Sequence, residues 1–173
     1  MIDGRLIVDL RDESLGCTTV LVVEATICHI IKGRRLLLKR AARGVSKGKW
    51  NAPGGRIETG ETPRTNATRE VLEETQLKLI HLLSHGTILY FMGGKKKLHT
   101  RVHLFSSRDF VGSPRSTLEG EVKWFAIEKL PFDEMWDDDR YWINAMLVGS
   151  RFDAKFYFDA KNIRVTKYEI ISR

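Results

Sequence analysis

The sequence predicts an α/β domain built on a central mixed β-sheet flanked by helices. Three observations carry that prediction. Runs rich in apolar and β-branched residues recur along the chain, each closed by glycine-bearing or charged turns. Two segments with helical spacing lie between them, one strongly charged (residues 62–76) and one aromatic (residues 138–148). Neither a repeat nor a linker-like stretch divides the 173 residues, a length that suits one domain with a substantial core. The domain is read as residues 19–173, with residues 1–18 as an N-terminal extension.

Each element has its own reason. Residues 19–31 (TVLVVEATICHII) are apolar and β-branched and read as a buried strand. Lys32-Gly33-Arg34 makes a tight turn, and residues 35–39 return as a second strand. A polar loop with glycines follows over residues 40–49. In Trp50-Asn51-Ala52-Pro53-Gly54-Gly55 the paired glycines suggest close approach of the backbone to a ligand. A helix is predicted to begin with Thr62 as N-cap and Pro63 at the first helical position, and to end at Thr75 or Gln76. Strands are expected over 79–91 and 98–110, joined by a solvated turn that contains Gly93, Gly94, Lys95, Lys96 and Lys97. Residues 112–120 read as a loop and 122–127 as a further strand. Tyr141, Trp142, Ala145 and Met146 give residues 138–148 a helical apolar face. The tail, residues 152–171, alternates as a hairpin around Ala160-Lys161-Asn162.

Composition narrows the function classes. No apolar run approaches a membrane span, and the mixed, acidic N-terminus is unlike a signal peptide. Cys17 and Cys28 are too few for a disulfide framework and lack zinc spacing. A cytoplasmic protein without a membrane partner is expected. The net charge of +7 attracts anions. The basic residues are spread along the chain, and the one short run, Lys95-Lys96-Lys97, lacks interleaved aromatics, which argues against a nucleic-acid-binding module, so no stable nucleic-acid complex is expected.

The chemistry concentrates in residues 55–77, GRIETGETPRTNATREVLEETQL. Glu70, Glu73 and Glu74 stand at i, i+3 and i+4, so their carboxylates share one helix face. Three like charges there repel, and a divalent cation turns that repulsion into binding. Oxygen ligands of this kind suit Mg²⁺, which is commonly held by a few carboxylates together with substrate phosphates.

The spacing resembles the Nudix hydrolase signature, G-x5-E-x7-R-E-U-x-E-E-x-G-U with U aliphatic. Gly55, Glu61, Arg69, Glu70, Val71, Glu73, Glu74 and Leu77 match it, and Gln76 stands where the signature has its second glycine. A left-handed glutamine there costs on the order of 1 kcal/mol and removes no ligand. The resemblance implies the family's α/β/α sandwich, with Mg²⁺ (or Mn²⁺) on Glu70, Glu73, Glu74 and the backbone carbonyl of Gly55. It also implies that Arg69 faces Glu61 and orients the loop against the helix. A glutamate before a later strand often adds to the metal site in this family; Glu119 is the candidate and Glu121 the second choice.

A second motif, LPFDEMWDDDRYW (residues 130–142), resembles the oxidised purine nucleoside triphosphatase branch of the family, with its P-F-x-x-M-W-x-D-D-x-Y-W pattern. Gly48, Trp50 and Asn51 match the branch's G-x-W-N. The resemblance implies that Trp136 stacks on the base while Asp138, Asp139 and Asn51 meet its edge. An indole suits a purine face. Two neighbouring carboxyls in an apolar pocket do not both ionise easily, so one protonated and one charged group would offer a donor beside an acceptor. A helix N-terminus also favours aspartates as caps, and at least one of residues 137–139 is expected to serve so. Asp137 replaces the branch's proline, and Val45 replaces an aromatic that lines its pocket. The implied reaction is hydrolysis of a nucleoside triphosphate to monophosphate and pyrophosphate. Other readings are a Nudix hydrolase of ADP-ribose or a dinucleoside polyphosphate, a non-catalytic nucleotide or RNA sensor of the same fold, and a basic nucleic-acid module.

Overall fold

Apolar alternation and a tight turn at Gly33 build the frame of the sheet. The structure is a computed structural model and describes residues 5–12, 16–94 and 98–173. β1 (Arg5–Asp12) pairs antiparallel with the first part of β2 (Gly16–Lys32), and β3 (Arg35–Ala41) returns along its end. The boundary expected between residues 18 and 19 falls inside β2. β4 (Trp50–Asn51) and β5 (Gly54–Arg56) lie against β3 and β2. They are too short to show a period in the sequence. After α1 (Pro63–Thr75) come β6 (Lys78–Leu79), β7 (Leu83–Phe91), β8 (Leu98–Ser107), β9 (Phe110–Val111) and β10 (Gly120–Ala126). The chain ends with α2 (Asp139–Leu147), β11 (Phe152–Phe158) and β12 (Val165–Ser172).

The sheet runs β10-β3-β2-β8-β7-β11-β12. β2 is parallel to β8 and β7 to β11, while the remaining neighbours along that order are antiparallel, so the sheet is mixed as predicted. The two long strands expected over 79–91 and 98–110 are each interrupted. Their outer ends pair separately as β6 and β9, where Ser107 donates to the carbonyl of Asp109 (3.0 Å) and turns the chain. The lysine turn at residues 95–97 lies outside the described residues.

A helix covers each face. On one side Ala67 and Val71 of α1, with Leu77, pack against Cys28, Ile30, Leu37 and Phe105. On the other, Trp142, Ile143 and Met146 of α2 pack against Leu36, Leu38, Ile88, Leu104, Phe152 and Phe156. This is the expected α/β/α layering, and it brings Glu74 near the C-terminal end of α1 against Lys39 of β3. Cys28 is fully buried, and burial pushes its thiol pKa well above the usual range, so it is chemically quiet.

Candidate active site

Local capping fixes α1, and α1 fixes the acidic face. Thr62 is the N-cap: its side chain accepts from the amide of Thr65, whose hydroxyl in turn accepts from the Thr62 amide, and Pro63 opens the helix. Gln76 closes the helix in the left-handed region, φ 64° and ψ 15°, the conformation expected where a glycine would stand. The loop before the helix is tied down by fully buried Asn66, which donates to the carbonyl of Arg56 (2.6 Å) and to Glu61 (2.8 Å). Arg69 grips Glu61 with two bonds, 2.7 and 3.1 Å, and its hydrogen bonds are the main reason the Glu61 carboxyl is lowered to about 2. Arg69 therefore braces loop against helix, as the signature implied.

The three glutamates differ in their surroundings. Glu70 is half-buried beside Gly55. A Cβ on Gly55 would stand 2.6 Å from the carboxyl carbon of Glu70, so glycine is required for the carboxylate to lie there. Burial, then repulsion from Glu74, raises the Glu70 carboxyl to about 7 against the pull of Arg69. Glu74 is buried, accepts the amide of Gly54 (3.0 Å), and is ion-paired with the equally buried Lys39 of β3. Glu73 is exposed and accepts from Arg69 (2.9 Å). Gly54 itself is held close to β2: a Cβ there would stand 2.8 Å from the Cα of Ile27. The paired glycines thus admit β2 and a carboxylate. Glu119 is half-buried, ion-paired with Arg43, and near enough to Glu74 to disfavour its charge. Glu121 is exposed, opposite Arg40 on β3.

This donor set fits a hard divalent cation. Its side-chain atoms are carboxylate oxygens, and Glu70 and Glu74 repel each other across the glycine cradle. Among the described residues no three acid, histidine or cysteine groups already converge into a cage. Arg69 draws Glu73 aside and Lys39 neutralises Glu74, so a cation would compete with these two native partners.

The second motif forms a separate wall. Asp137, Asp138 and Asp139 are all buried, but none bonds the first amides of α2. The expectation that at least one caps that helix does not hold, because all three have other partners. Asp137 accepts from the amide of Val165 (2.8 Å) and from Arg164 (3.2 Å), which ties the start of α2 to the C-terminal hairpin. Asp138 accepts through one oxygen from Tyr90 (2.7 Å) and the indole of Trp142 (3.0 Å). Asp139 accepts the amide of Trp136 (3.1 Å). Burial raises the pKa of Asp138 and Asp139, and the charge of Asp138 pushes Asp139 further up. Adjacent and buried, the two carboxyls disfavour two charges held together.

Trp136 is half-buried against Phe158, edge to face with ring centres 5.9 Å apart. Its indole donates to Ser46 (3.2 Å), and the Lys49 ammonium lies 5.1 Å from the ring centre while donating to the carbonyl of Met135 (3.0 Å). The loop before Asn51 is thereby fastened to Trp136. Asn51 is half-buried on β4, opposite Lys39 of β3, and its side-chain oxygen accepts the Ala52 amide (2.8 Å). It is bonded to neither aspartate. Val45 points to solvent at 92% exposure and lines nothing.

Lys39, Lys49, Tyr90 and Phe158 were not among the residues expected from the sequence. Each meets the site from a strand or loop distant in the chain, and only the inward alternation of Tyr90 and Phe158 could have hinted at them. A surface cavity of about 350 Å³ lies elsewhere on the sheet, lined by Thr87, Arg101, His103, Asp153 and Lys155 among others. Its polar groups are already partnered, Arg101 and His103 with Glu24 and Lys155 with Glu169.

Comparison with known proteins shows the family. The NUDIX domain family model matches residues 21–146. An oxidized purine nucleoside triphosphate hydrolase of Danio rerio is 37% identical over 140 residues, which cover 81% of this chain and 89% of that protein. A protein of the same description from Mus musculus is 35% identical over 133 residues, 77% of this chain and 85% of its own length. Among solved structures, a mutator MutT protein of Bacillus halodurans superposes with a TM-score of 0.75 over 85% of this chain and 96% of its own, at 20% identity, which speaks to the fold alone.

Proposed function

The chain belongs to the Nudix family and is a Nudix hydrolase, and from that premise we propose that it hydrolyses oxidised purine nucleoside triphosphates, such as 8-oxo-dGTP and 2-hydroxy-dATP, to the monophosphate and pyrophosphate. The observation that carries the substrate assignment is the pair of adjacent, buried aspartates beside a half-exposed tryptophan. Trp136 offers its face to a purine, and Asp138 and Asp139 offer one acceptor and one donor to its edge, with Asn51 as a further edge contact. Oxidation rearranges donors and acceptors on the purine, so a carboxyl pair that shares one proton can tell the oxidised base from the normal one. The two relatives described as oxidized purine nucleoside triphosphate hydrolases support the same reading.

The hydrolytic half is assigned to α1 and its loop. Mg²⁺, or Mn²⁺ in its place, would be held by Glu70, Glu73, Glu74 and the carbonyl of Gly55, with Glu119 beside them. When bound, such a cation supplies Lewis acidity toward a phosphoryl oxygen and lowers the pKa of bound water. Lys39 holds Glu74 in place and offsets part of the burial that disfavours its charge, and Arg69 keeps the loop of Gly55 and Glu61 against the helix. Overall, water adds across one phosphoanhydride bond, and pyrophosphate leaves. No helix among the described residues is long and apolar enough to cross a membrane, and we place the activity in the cytoplasm. The test is a pyrophosphate-release screen with Mg²⁺ across oxidised and normal nucleoside triphosphates and ADP-ribose. Highest kcat/KM on an oxidised purine triphosphate is the expected result, and a preference for ADP-ribose or for unmodified nucleotides would overturn the assignment.

A further inference from the structure

We propose that Tyr90 decides which pocket aspartate carries the shared proton, fixing Asp138 as the acceptor and leaving Asp139 as the donor toward the base edge. The inference rests on the reading of this wall as a purine pocket. The two aspartates are adjacent and equally buried, so burial alone does not distinguish them. Their hydrogen-bond partners do.

One oxygen of Asp138 receives two side-chain donors, the hydroxyl of Tyr90 at 2.7 Å and the indole N–H of Trp142 at 3.0 Å. The indole N–H donates only, so that oxygen is bound to serve as an acceptor, and a phenol donating beside it reinforces the charged form. Asp139 receives the backbone amide of Trp136 at 3.1 Å on one oxygen, which leaves the other free to carry a proton. Once Asp138 is ionised, its charge holds the proton on Asp139.

The other charges facing the pair do not reverse this order. Lys49 favours a charge on Asp139, but its ammonium is engaged with the carbonyl of Met135 and the Trp136 ring. Asp137 disfavours a charge on Asp138, but is itself matched by Arg164 and by Arg140, at 3.2 and 3.5 Å. Tyr90 stays neutral and therefore a donor, because burial and the two aspartates push its ionisation well above the ordinary range. Its ring is held between Phe156 and Phe158, with centres at 6.2 and 6.3 Å, and Phe158 in turn backs Trp136. Tyr90 is thus a positioning residue: it acts on the base through Asp138.

Tyr90→Phe removes the hydroxyl and little else. Without it the proton spreads over both aspartates, and two donor–acceptor orders become comparable. The ratio of kcat/KM for 8-oxo-dGTP over 2-hydroxy-dATP should move toward unity by about tenfold, the lower bound for one hydrogen bond to a charged group. The change should appear in KM, with kcat within about twofold of wild type, since the hydrolytic face is untouched. Asp138 should also take up the pair's second proton at higher pH, so the acidic limb of kcat/KM should move up by about one pH unit. In an Asp138→Asn background, Tyr90→Phe should leave the ratio where Asp138→Asn put it. An unchanged ratio and an unchanged limb in Tyr90→Phe, with or without a lower melting temperature, would overturn the inference, because a merely structural hydroxyl moves neither. A wild-type enzyme that fails to discriminate oxidised from normal purines would overturn the pocket reading first and this inference with it.

Discussion

Glu73→Gln and Glu74→Gln should part company in stability while failing alike in catalysis. Both glutamates lie on the proposed cation face, and each substitution should lower turnover of an oxidised purine triphosphate by at least ~100-fold, since a bound metal contributes several kcal/mol of transition-state stabilisation. Their structural roles differ. Glu73 is exposed, and its partner Arg69 keeps Glu61 and Glu70 when Glu73 is neutralised. Its loss should change folding stability by no more than about 0.5 kcal/mol. Glu74 is buried with Lys39 and accepts the amide of Gly54. Glutamine can keep the amide bond but leaves a buried ammonium without its counter-charge, a change that typically costs about 3–5 kcal/mol. For a chain of this size that is a fall in Tm of roughly 6–20 °C. Urea unfolding of the three proteins in metal-free buffer reads the difference, with an unchanged m-value as the check that the midpoint reports stability. Equal melting of Glu73→Gln and Glu74→Gln would refute the Lys39–Glu74 pair, and near-normal turnover in both would refute the cation face.

Further outcomes follow from other sites. Gln76→Gly relieves a left-handed non-glycine residue and should raise stability by about 0.5–1 kcal/mol, or ~1–4 °C in Tm, with activity unchanged; a lower Tm would show that the helix does not end there. Asp138→Asn and Asp139→Asn should each reduce kcat/KM on 8-oxo-dGTP by ~10- to 100-fold, with different ratios against 2-hydroxy-dATP, while retaining hydrolysis because the proposed hydrolytic residues sit on α1. Wild-type selectivity in both would dismiss the base contacts. The pKa of Asp139 is raised on folding, by burial and then by Asp138, so the folded state holds this proton more tightly than the unfolded chain. Its contribution to stability is full below the unfolded value, near about pH 4, and is lost as pH rises toward the folded value. Asp139→Asn should flatten that decline in urea midpoints measured from acid to neutral pH, and an identical slope would contradict it.

The parts legible in the sequence are those with local causes. The N-cap at Thr62, Pro63 after it and the left-handed Gln76 follow from residues within one turn of each other, and the signature placed Arg69 against Glu61. Three consecutive aspartates were readable as important but not as distinct. Successive residues at a helix start point some 100° apart, and the sequence does not say what stands in each direction. Asp137 finds a hairpin 27 residues on, and Asp138 a strand 48 residues back. Lys39 was equally hidden: a lysine in an apolar strand reads as an exposed edge until Glu74 comes to meet it. Val45 shows the converse, since a position that the resemblance implied would line the pocket faces water.

The tether from Asp137 to Arg164 and Val165 has a consequence for how such enzymes change their diet. The recognised family segment ends at residue 146, whereas Phe158 backs the Trp136 ring and residues 164 and 165 anchor the turn that aims the aspartates. If Trp136 and the aspartates hold the base as proposed, substrate choice is adjusted partly from a hairpin that lies apart from the acidic face of α1. A shortened or exchanged hairpin can tilt the indole and the neighbouring carboxyls while leaving the cleavage apparatus where it was. On that reading the tail is the tuning screw of this protein and the signature helix its fixed bench.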